Sequence, residues 1–308
     1  MAAALLCVLT LAGYLGRWCW FLDASSHFRV QYLAGLVVCL VLLAVARDRL
    51  FLVVAAAGFV LNAVEIAPWY VAAKGPAVDA AAPRLKLVCA NVNSRNREHA
   101  RLLDLVRDAD PDVIIVIEAS SPWAATLETI ADEYPHTKAE IREDNFGIAI
   151  YSRLPFDEAE IVEYGSLGVP SIVATIRVDD TPVTIVATHP MPPRCSRYWR
   201  LRNEQFEAIA AARDEFGDRL IVAGDFNASV FSPCLAHFVK AMSTPKAKLR
   251  NTRRGFGVRP TWPTMCRPLL TPLDHIFVTD HFAVTECRTG PHIGSDHLPI
   301  RATLVLEE

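Results

Sequence analysis

Six places in the sequence put an acid, an amide or a histidine beside a run of apolar residues. They are Asn91 and Asn93 after LKLVCA, Glu118 after DVIIVI, His189 after VTIVAT, Asp225 and Asn227 after LIVAG, Asp274 before HIFVT, and Asp296 and His297 before the last run. A single acid at a strand end is more often a turn or cap residue, so each position alone is a weak signal. Their repetition, with no serine or cysteine nucleophile among them, indicates one catalytic-type pocket built from several strand ends.

Such a pocket requires a sheet-rich domain that brings strand ends to one edge. Apolar runs predict strands at 85–92, 112–119, 147–153, 171–179, 183–189, 220–226, 273–279 and 299–306. Apolar residues at three- and four-residue spacing predict helices over 98–109 and 202–216. The sequence VDDTPV predicts a tight hairpin between two of the strands. Many strands, mixed connections and two well-marked helices predict an α/β sandwich over residues 85–308.

Three apolar runs fill the first 73 residues, at 1–22, 32–46 and 50–73. A helix needs about 20 mostly apolar residues to cross a bilayer. The third run is long enough, the first is if Arg17 reaches the interface, and the second is if it begins near Val30. A cleaved signal peptide is the alternative for the first run, but a positive n-region and a small-residue cleavage site are lacking. We predict about three transmembrane helices over 1–73, with two helices or a signal peptide plus two as alternatives, and a linker over 74–84.

The distribution of charge bounds the function and the location. Hydrophobic residues make up 52% of the 308 residues, and the excess lies near the N-terminus. The remaining residues, 85–308, carry 25 basic and 30 acidic residues. This acidic balance argues against tight non-specific binding of DNA. A cytoplasmic loop at 47–49 would place the C-terminal domain outside the cytoplasm, but Arg17, Arg29 and the basic residues after position 73 favour the opposite arrangement. We predict a multi-pass protein of the cell membrane, with a slight preference for an extracytoplasmic domain.

The motif series CANVN, IVIEAS, ATHP, AGDFN, PLDHIF and GSDHLP, in this order, resembles the endonuclease/exonuclease/phosphatase superfamily with the deoxyribonuclease-I-like fold. The resemblance covers essentially all of residues 85–308. The stretches THPMPP, RLRNEQ and RPTWP and the preceding apolar runs also resemble a membrane-anchored bacterial branch. The resemblance implies a four-layer α/β sandwich with two packed mixed sheets and a site at one end of them. It also implies hydrolysis of phosphoesters that depends on Mg²⁺ or Mn²⁺.

The resemblance also implies a metal site made of hard oxygen ligands. Glu118 matches the principal metal-binding glutamate of the family. Asn93 falls where many members have a second oxygen ligand, often Asp, and its neutral amide would be a weaker ligand. Asp296 could complete the site directly or through water.

Six further residues match the catalytic positions of the family. His297 would contact the phosphate or take the proton of the attacking water, and Asp274 would orient its ring. Asp225 is the other candidate base, or the group that orients the attacking water. Asn91 and Asn227 would donate to phosphoryl oxygens or hold Asp225. His189 would donate to the phosphate, whereas His275, which faces away on a strand, is predicted to be structural.

The sequence thus predicts a membrane-anchored, divalent-metal-dependent phosphoester hydrolase, foremost a phosphodiesterase or nuclease. Its substrate would be a nucleic acid, a nucleotide or a phospholipid. A phosphomonoesterase is the alternative within the enzyme class, and a membrane-tethered binding module is the alternative outside it. Two basic clusters, at 194–202 and 246–259, could contact the rest of the substrate or anionic lipid headgroups, or could simply face solvent.

Overall fold

The computed structural model describes residues 1–71 and 82–307. Its helices are α1 (Ala2–Tyr14), α2 (Trp20–Ser26), α3 (Arg29–Ala46), α4 (Arg49–Ile66), α5 (His99–Ala109), α6 (Ser121–Leu127), α7 (Ser196–Ala211) and α8 (Pro233–Ala241). Its strands are β1 (Arg84–Asn91), β2 (Val113–Ile117), β3 (His136–Glu140), β4 (Ile148–Ser152), β5 (Phe156–Glu163), β6 (Pro170–Val178), β7 (Thr181–Thr188), β8 (Leu220–Asp225), β9 (Leu249–Asn251), β10 (Asp274–Thr279), β11 (Phe282–Thr289) and β12 (Ile300–Leu306).

The strands form two mixed sheets in the described part of the chain. The first has the order β11-β12-β1-β2-β4-β3 and the second the order β5-β6-β7-β8-β10-β9. Apolar residues of both sheets meet in one core, which includes Ile115 and Ile150 from the first and Ile172 and Ile185 from the second. Helices α5 and α6 cover the outer face of the first sheet, and α7 and α8 cover that of the second. These are the four layers that the sequence predicted.

The alternation of side chains along β1 shows why this strand lies in the centre. Leu85, Leu87 and Cys89 point into the core between the sheets, whereas Val88 and Ala90 point toward α5. Successive side chains of a strand face opposite sides of the sheet, so a strand between two layers must be apolar on both faces.

The strand directions bring the polar residues to one edge. β1 runs parallel to β2, and β7 runs parallel to β8, so the carboxyl ends of each pair lie together. β10 is antiparallel to β8, with Asp274 opposite Asp225, and β12 is antiparallel to β1. The segments that begin β10 and β12 therefore lie beside the ends of β8 and β1.

The eight predicted strands are all present, with ends that differ by at most two residues. The predicted helix 98–109 is α5, but the predicted helix 202–216 begins earlier, at Ser196, and ends at Ala211 before a separate turn of 3₁₀-helix at Arg213–Glu215. The sequence did not predict β3, β5, β9, β11, α6 or α8. Strand β5 lies at a sheet edge and is exposed along most of its length, so it lacks the apolar pattern that marks a buried strand.

The N-terminal region contains two helices, in the residues described, that are long and apolar enough to cross a membrane: Arg29–Ala46 and Arg49–Trp69. The first apolar run was predicted to form one helix, but it does not. It gives α1, which has only 13 residues, and then the short helix α2. Because α1 is shorter than the span of a bilayer, three transmembrane helices are not confirmed. Most of the predicted linker 74–84 lies outside the described residues, and its last residue, Arg84, already belongs to β1.

Candidate active site

All nine residues predicted for the site lie together at the strand edge. A cavity of about 540 Å³ is lined by Glu118, His189, Asp225, Asn227, Asp296 and His297. The other three, Asn91, Asn93 and Asp274, each contact one of these lining residues.

Asn91 joins the two sheets at the floor of the site. Its side-chain amide donates to Glu118 Oε1 at 3.1 Å and to Asp225 Oδ2 at 3.0 Å. Its Oδ1 accepts from the backbone N–H of Asn93 at 3.0 Å. The amide is therefore occupied by two carboxylates, which it holds at a fixed separation.

Glu118 follows β2 in a left-handed backbone conformation, with φ of +64°. This region is unfavourable for a residue with a Cβ, and such strain is found at sites where the surrounding structure fixes a side chain. The Oε2 atom accepts from the backbone N–H of Ser94 at 3.2 Å. Burial raises the pKa of Glu118, whereas the hydrogen bonds from Asn91 and Ser94 oppose the shift.

Asp296 is held by two donors. Asn93 Nδ2 donates to its Oδ1 at 2.7 Å, and Trp262 Nε1 donates to its Oδ2 at 3.1 Å. Asn93 itself is left-handed, with φ of +55°, and its Oδ1 accepts from the backbone of Arg95. In this arrangement Asn93 orients the carboxylate of Asp296.

The carboxylate oxygens of Glu118 and Asp296 fit a divalent cation. Glu118 and Asp296 line the same cavity, and the charge of Asp296 is among the causes that raise the pKa of Glu118. A cation between the two carboxylates would remove this repulsion. Carboxylate and amide oxygens are the ligands that Mg²⁺ and Mn²⁺ prefer.

Asp274, His297 and Asp225 form a chain of carboxylate, imidazole and carboxylate. His297 Nδ1 is bonded to Asp274 Oδ2 at 2.8 Å, and His297 Nε2 lies 3.6 Å from Asp225 Oδ2. Ligand atoms of these three residues lie within 4.8 Å of one another, as in some metal sites. Because Nδ1 of His297 is already bonded to Asp274, the trio is arranged to pass a proton, and Glu118 and Asp296 are the other carboxylates at the cavity that could hold a cation.

The protonation states of this chain follow from its surroundings. Burial opposes a charge on His297, but the carboxylates of Asp274 and Asp225 outweigh it and raise the pKa of His297 to about 10. Burial raises the pKa of Asp225 to about 6, and His297 opposes this shift. At neutral pH, Asp225 is therefore a carboxylate and His297 an imidazolium.

His189 and Asn227 complete the wall of the cavity around Asp225. His189 Nε2 lies 3.6 Å from Asp225 Oδ2, and burial lowers the pKa of this imidazole. The backbone N–H of Asn227 donates to Asp225 Oδ1 at 2.9 Å. The side-chain amide of Asn227 donates to the carbonyl of Pro190 at 3.0 Å, which ties the two loops together.

Two basic residues from the predicted substrate-binding clusters have structural positions instead. Arg253 is buried and bonds to His275 and to the carbonyl of Asp274. His275 also bonds to the carbonyl of Ala228, so it is structural, as its position on the strand suggested. Arg202 is buried as well, and its guanidinium binds the carboxylate of Asp23.

The N-terminal region contributes part of the site, which the motifs did not predict. Ala24, His27 and Phe28 line the same cavity as Asp225 and His297. Asp23, beside them, accepts from Arg202 at 2.7 Å and from Ser232 at 2.6 Å. The polar stretch DASSH, between two apolar runs, is the sequence feature that could have indicated this contribution. A segment that only connects membrane helices does not need an acid, two serines and a histidine.

The chain belongs to the Endonuclease/Exonuclease/phosphatase family, whose model matches residues 88–297. This match agrees with the resemblance predicted from the motifs. No curated protein is similar enough in sequence to match the chain.

Three solved structures share the fold. TDP2 of D. rerio, complexed with single-strand DNA product, is 18% identical, with a TM-score of 0.60 over 72% of this chain and 98% of that chain. The 3′ phosphatase NExo from Neisseria, bound to a product DNA hairpin, is 20% identical, with a TM-score of 0.58 over 71% and 98%. Sphingomyelinase C from Streptomyces griseocarneus is 16% identical, with a TM-score of 0.53 over 72% and 99%. These similarities confirm the α/β sandwich.

Proposed function

We propose that the chain is a membrane-anchored, divalent-metal-dependent phosphoester hydrolase that cleaves phosphodiesters. One observation carries this proposal: the chain Asp274–His297–Asp225 and the carboxylates Glu118 and Asp296 converge on the same cavity. Among the described residues that line it, none is a serine or a cysteine. The arrangement therefore suits direct attack by water on a phosphorus atom.

Each group has a task in that reaction. A divalent cation held by Glu118 and Asp296 would neutralise charge on the phosphoryl oxygens. Asp225, ionised at neutral pH, accepts the proton of the attacking water at Oδ2. His297, charged and held by Asp274, donates from Nε2 to a phosphoryl oxygen as negative charge grows there. His189, on the other side of Asp225, is placed to donate to a second oxygen.

The N-terminal helices support the membrane anchor. Large apolar side chains are exposed along α3 and α4, among them Val38, Val41, Leu42, Val53 and Val64. Apolar side chains exposed along two neighbouring helices are unfavourable in water and favourable in a bilayer. The extracytoplasmic location of the domain stays a prediction.

The three structural neighbours act on or bind different compounds, namely single-strand DNA, sphingomyelin and a 3′ phosphate on DNA. The first experiment therefore tests the reaction class. The full chain in detergent is assayed with Mg²⁺, Mn²⁺ or chelator on bis-p-nitrophenyl phosphate, a diester, and p-nitrophenyl phosphate, a monoester. Metal-dependent cleavage of the diester is expected, at a higher rate than that of the monoester.

Three variants identify the groups responsible. Asp225→Asn and His297→Ala are each expected to lower kcat at least about 100-fold, because each removes a group that moves or offers a proton. Asp132→Asn, on the exposed surface, is the matched control and is expected to keep the wild-type rate. Manganese binding without turnover, unchanged in these variants, would instead support a tethered binding module. Faster cleavage of the monoester would support a phosphomonoesterase.

A further inference from the structure

The catalytic cavity is built in part by the membrane-proximal segment of the chain. Ala24 belongs to α2, and His27 and Phe28 lie between α2 and the start of α3, yet all three line the cavity that contains Asp225 and His297. The site is therefore open beside the first turn of an apolar helix.

The contacts of this segment with the catalytic domain fix it in place. The pair formed by Asp23 and Arg202 is almost fully buried, with 1% and 0% of the side chains exposed. Ser232 donates to Asp23, and the backbone N–H of Ser229 donates to His27 Nδ1 at 3.0 Å. These bonds hold the loop after β8, which carries Asn227, against α2.

The apolar helices meet the domain next to the same opening. Near the start of α3, Gln31 donates to the carbonyls of Pro268 and Leu270. After the end of α4, the carbonyl of Trp69 accepts from two backbone N–H groups of the domain, those of Gly255 and Gly257. Helix α3 has 18 residues and is therefore about 27 Å long, which is close to the thickness of the hydrocarbon core.

Part of the lining of the cavity is apolar, and one of its members, Phe28, directly precedes α3. Phe28, Met191 and Leu273 line the cavity, and the loop that supplies Trp262 continues through two side chains that are strongly exposed. These are Met265, 87% exposed, and Leu269, 46% exposed. Gln31 of α3 is bonded to the carbonyls on both sides of Leu269, so Leu269 lies where the spanning helix begins, and Met265 lies four residues earlier in the same loop.

We propose that the substrate of this site is a phosphate-bearing lipid of the membrane itself. Its phosphoester would lie at Asp225 and His297, and its chains would pass Phe28 and the loop 262–271 toward the apolar face of α3. This inference rests on the proposed function and adds the source of the substrate. A soluble nucleic acid, by contrast, has no long apolar chains to place against Met265 and Leu269 near the start of a membrane helix.

The test compares one headgroup with and without its acyl chains. The full chain is reconstituted in nanodiscs with Mg²⁺ or Mn²⁺. Hydrolysis of phosphatidylglycerol in the disc is measured beside that of glycerophosphoglycerol, which is the same diester without chains, and of single-stranded DNA. Phosphatidic acid in the disc provides a lipid monoester. We expect a lipid to be cleaved at least tenfold faster than the deacylated diester and DNA.

Variants of the loop 262–271 test the path of the chains. Met265→Asp combined with Leu269→Asp changes two exposed side chains and so leaves the buried core untouched. It is expected to lower lipid hydrolysis at least tenfold more than hydrolysis of bis-p-nitrophenyl phosphate. Ile161→Asp, at an exposed apolar position on the edge strand β5, is the matched control and is expected to change neither rate.

The outcomes separate the two proposals. Cleavage of bis-p-nitrophenyl phosphate or DNA without cleavage of either lipid would overturn the lipid inference and leave the proposed function intact. An equal loss on lipid and soluble diester in the loop variant would also overturn the inference. If no phosphoester is cleaved with either metal, the proposed function fails, and the inference fails with it.

Discussion

At the scale of single residues, the site depends on a buried carboxylate that does not line the cavity. Asp274 is fully buried behind His297, and its bond to Nδ1 both orients the ring and favours the imidazolium. Its backbone N–H is bonded to Thr261, so the side chain has little freedom to move. The charge on His297 is thus favoured by a residue that does not line the cavity.

Replacement of this carboxylate by an amide removes the charge and keeps the shape. Asp274→Asn is expected to lower kcat by about 100-fold to 10,000-fold, as expected when the carboxylate partner of a catalytic histidine is lost. Steady-state kinetics on bis-p-nitrophenyl phosphate measure the effect, and circular dichroism checks the fold. A variant that keeps more than a tenth of the wild-type rate would show that His297 does not act as a charged donor.

The protonation of His27 makes the docking of α2 depend on pH. Burial lowers the pKa of His27 to about 4, with Asp23 opposing the shift and Arg202 adding to it. The charge of His27 in turn adds to the lowering of the pKa of His275. The ordinary pKa is about 6.5, so the released segment binds a proton more readily than the docked one between these values. Docking of α2 is therefore complete above pH 6.5 and weakens as the pH falls toward 4.

Hydrogen exchange at the backbone of Ser229 measures this effect, since its N–H donates to the ring. Protection is expected to fall by up to about tenfold for each pH unit below 6.5, after correction for the intrinsic pH dependence of exchange. In His27→Gln the dependence is expected to disappear. If Ser229 keeps the same corrected protection at pH 5 and pH 7.5, His27 does not control the docking.

At the scale of elements, the parts that could be predicted from sequence are those with an apolar pattern on both faces. The central strands β1, β2 and β8 are of this kind, and the site residues at their ends follow directly. Strand β5 and helix α2 were missed because neither has such a pattern. The inward positions of Arg202 and Arg253 could not be predicted, since a basic cluster on a sequence looks the same whether its members are exposed or bonded inside.

The buried pair of Asp23 and Arg202 leads to a prediction about α2. Asp23→Asn leaves the guanidinium of Arg202 buried without a carboxylate, which costs about 3–5 kcal/mol when a buried pair is broken. We expect a clear fall in the temperature of half-inactivation of the full chain in detergent. Asp104→Asn breaks the exposed pair with Arg107 and, as the matched control, is expected to cost under about 1 kcal/mol.

A combined replacement of both members distinguishes loss of the pair from loss of packing. In Asp23→Leu with Arg202→Met no charge remains buried, so this variant is expected to be more stable than Asp23→Asn. If Asp23→Asn inactivates at the same temperature as the wild-type chain, the pair does not hold α2.

At the scale of the whole molecule, the helical region and the sandwich share buried surface. Ile66 packs with Phe231 and Val258 of the catalytic domain, and the ring of Trp69 lies edge-on to Phe231. The boundary that the sequence suggested near residue 84 separates two architectures, but the contacts cross it. The catalytic part is therefore expected to depend on its anchor for stability as well as for location.

This dependence can be measured by removing the anchor. A chain that starts at residue 82 exposes Phe231 and Val258 and leaves Arg202 without Asp23. We expect it to aggregate at lower temperature than the full chain and to hydrolyse bis-p-nitrophenyl phosphate more slowly. Arg202→Met in the truncated chain is expected to recover part of the stability. Equal stability and equal turnover of the truncated and full chains would contradict the dependence.

The hydrogen bonds of Asn91 link the two sheets at the edge of the core. Its amide comes from the first sheet, and it bonds to Glu118 of the same sheet and to Asp225 of the second. The base and the proposed cation site therefore keep their separation only while the two sheets keep theirs. Core side chains such as Ile115 and Ile185 set the spacing between the sheets. A substitution there that changes this spacing would therefore also change the distance between the proposed base and the proposed cation site.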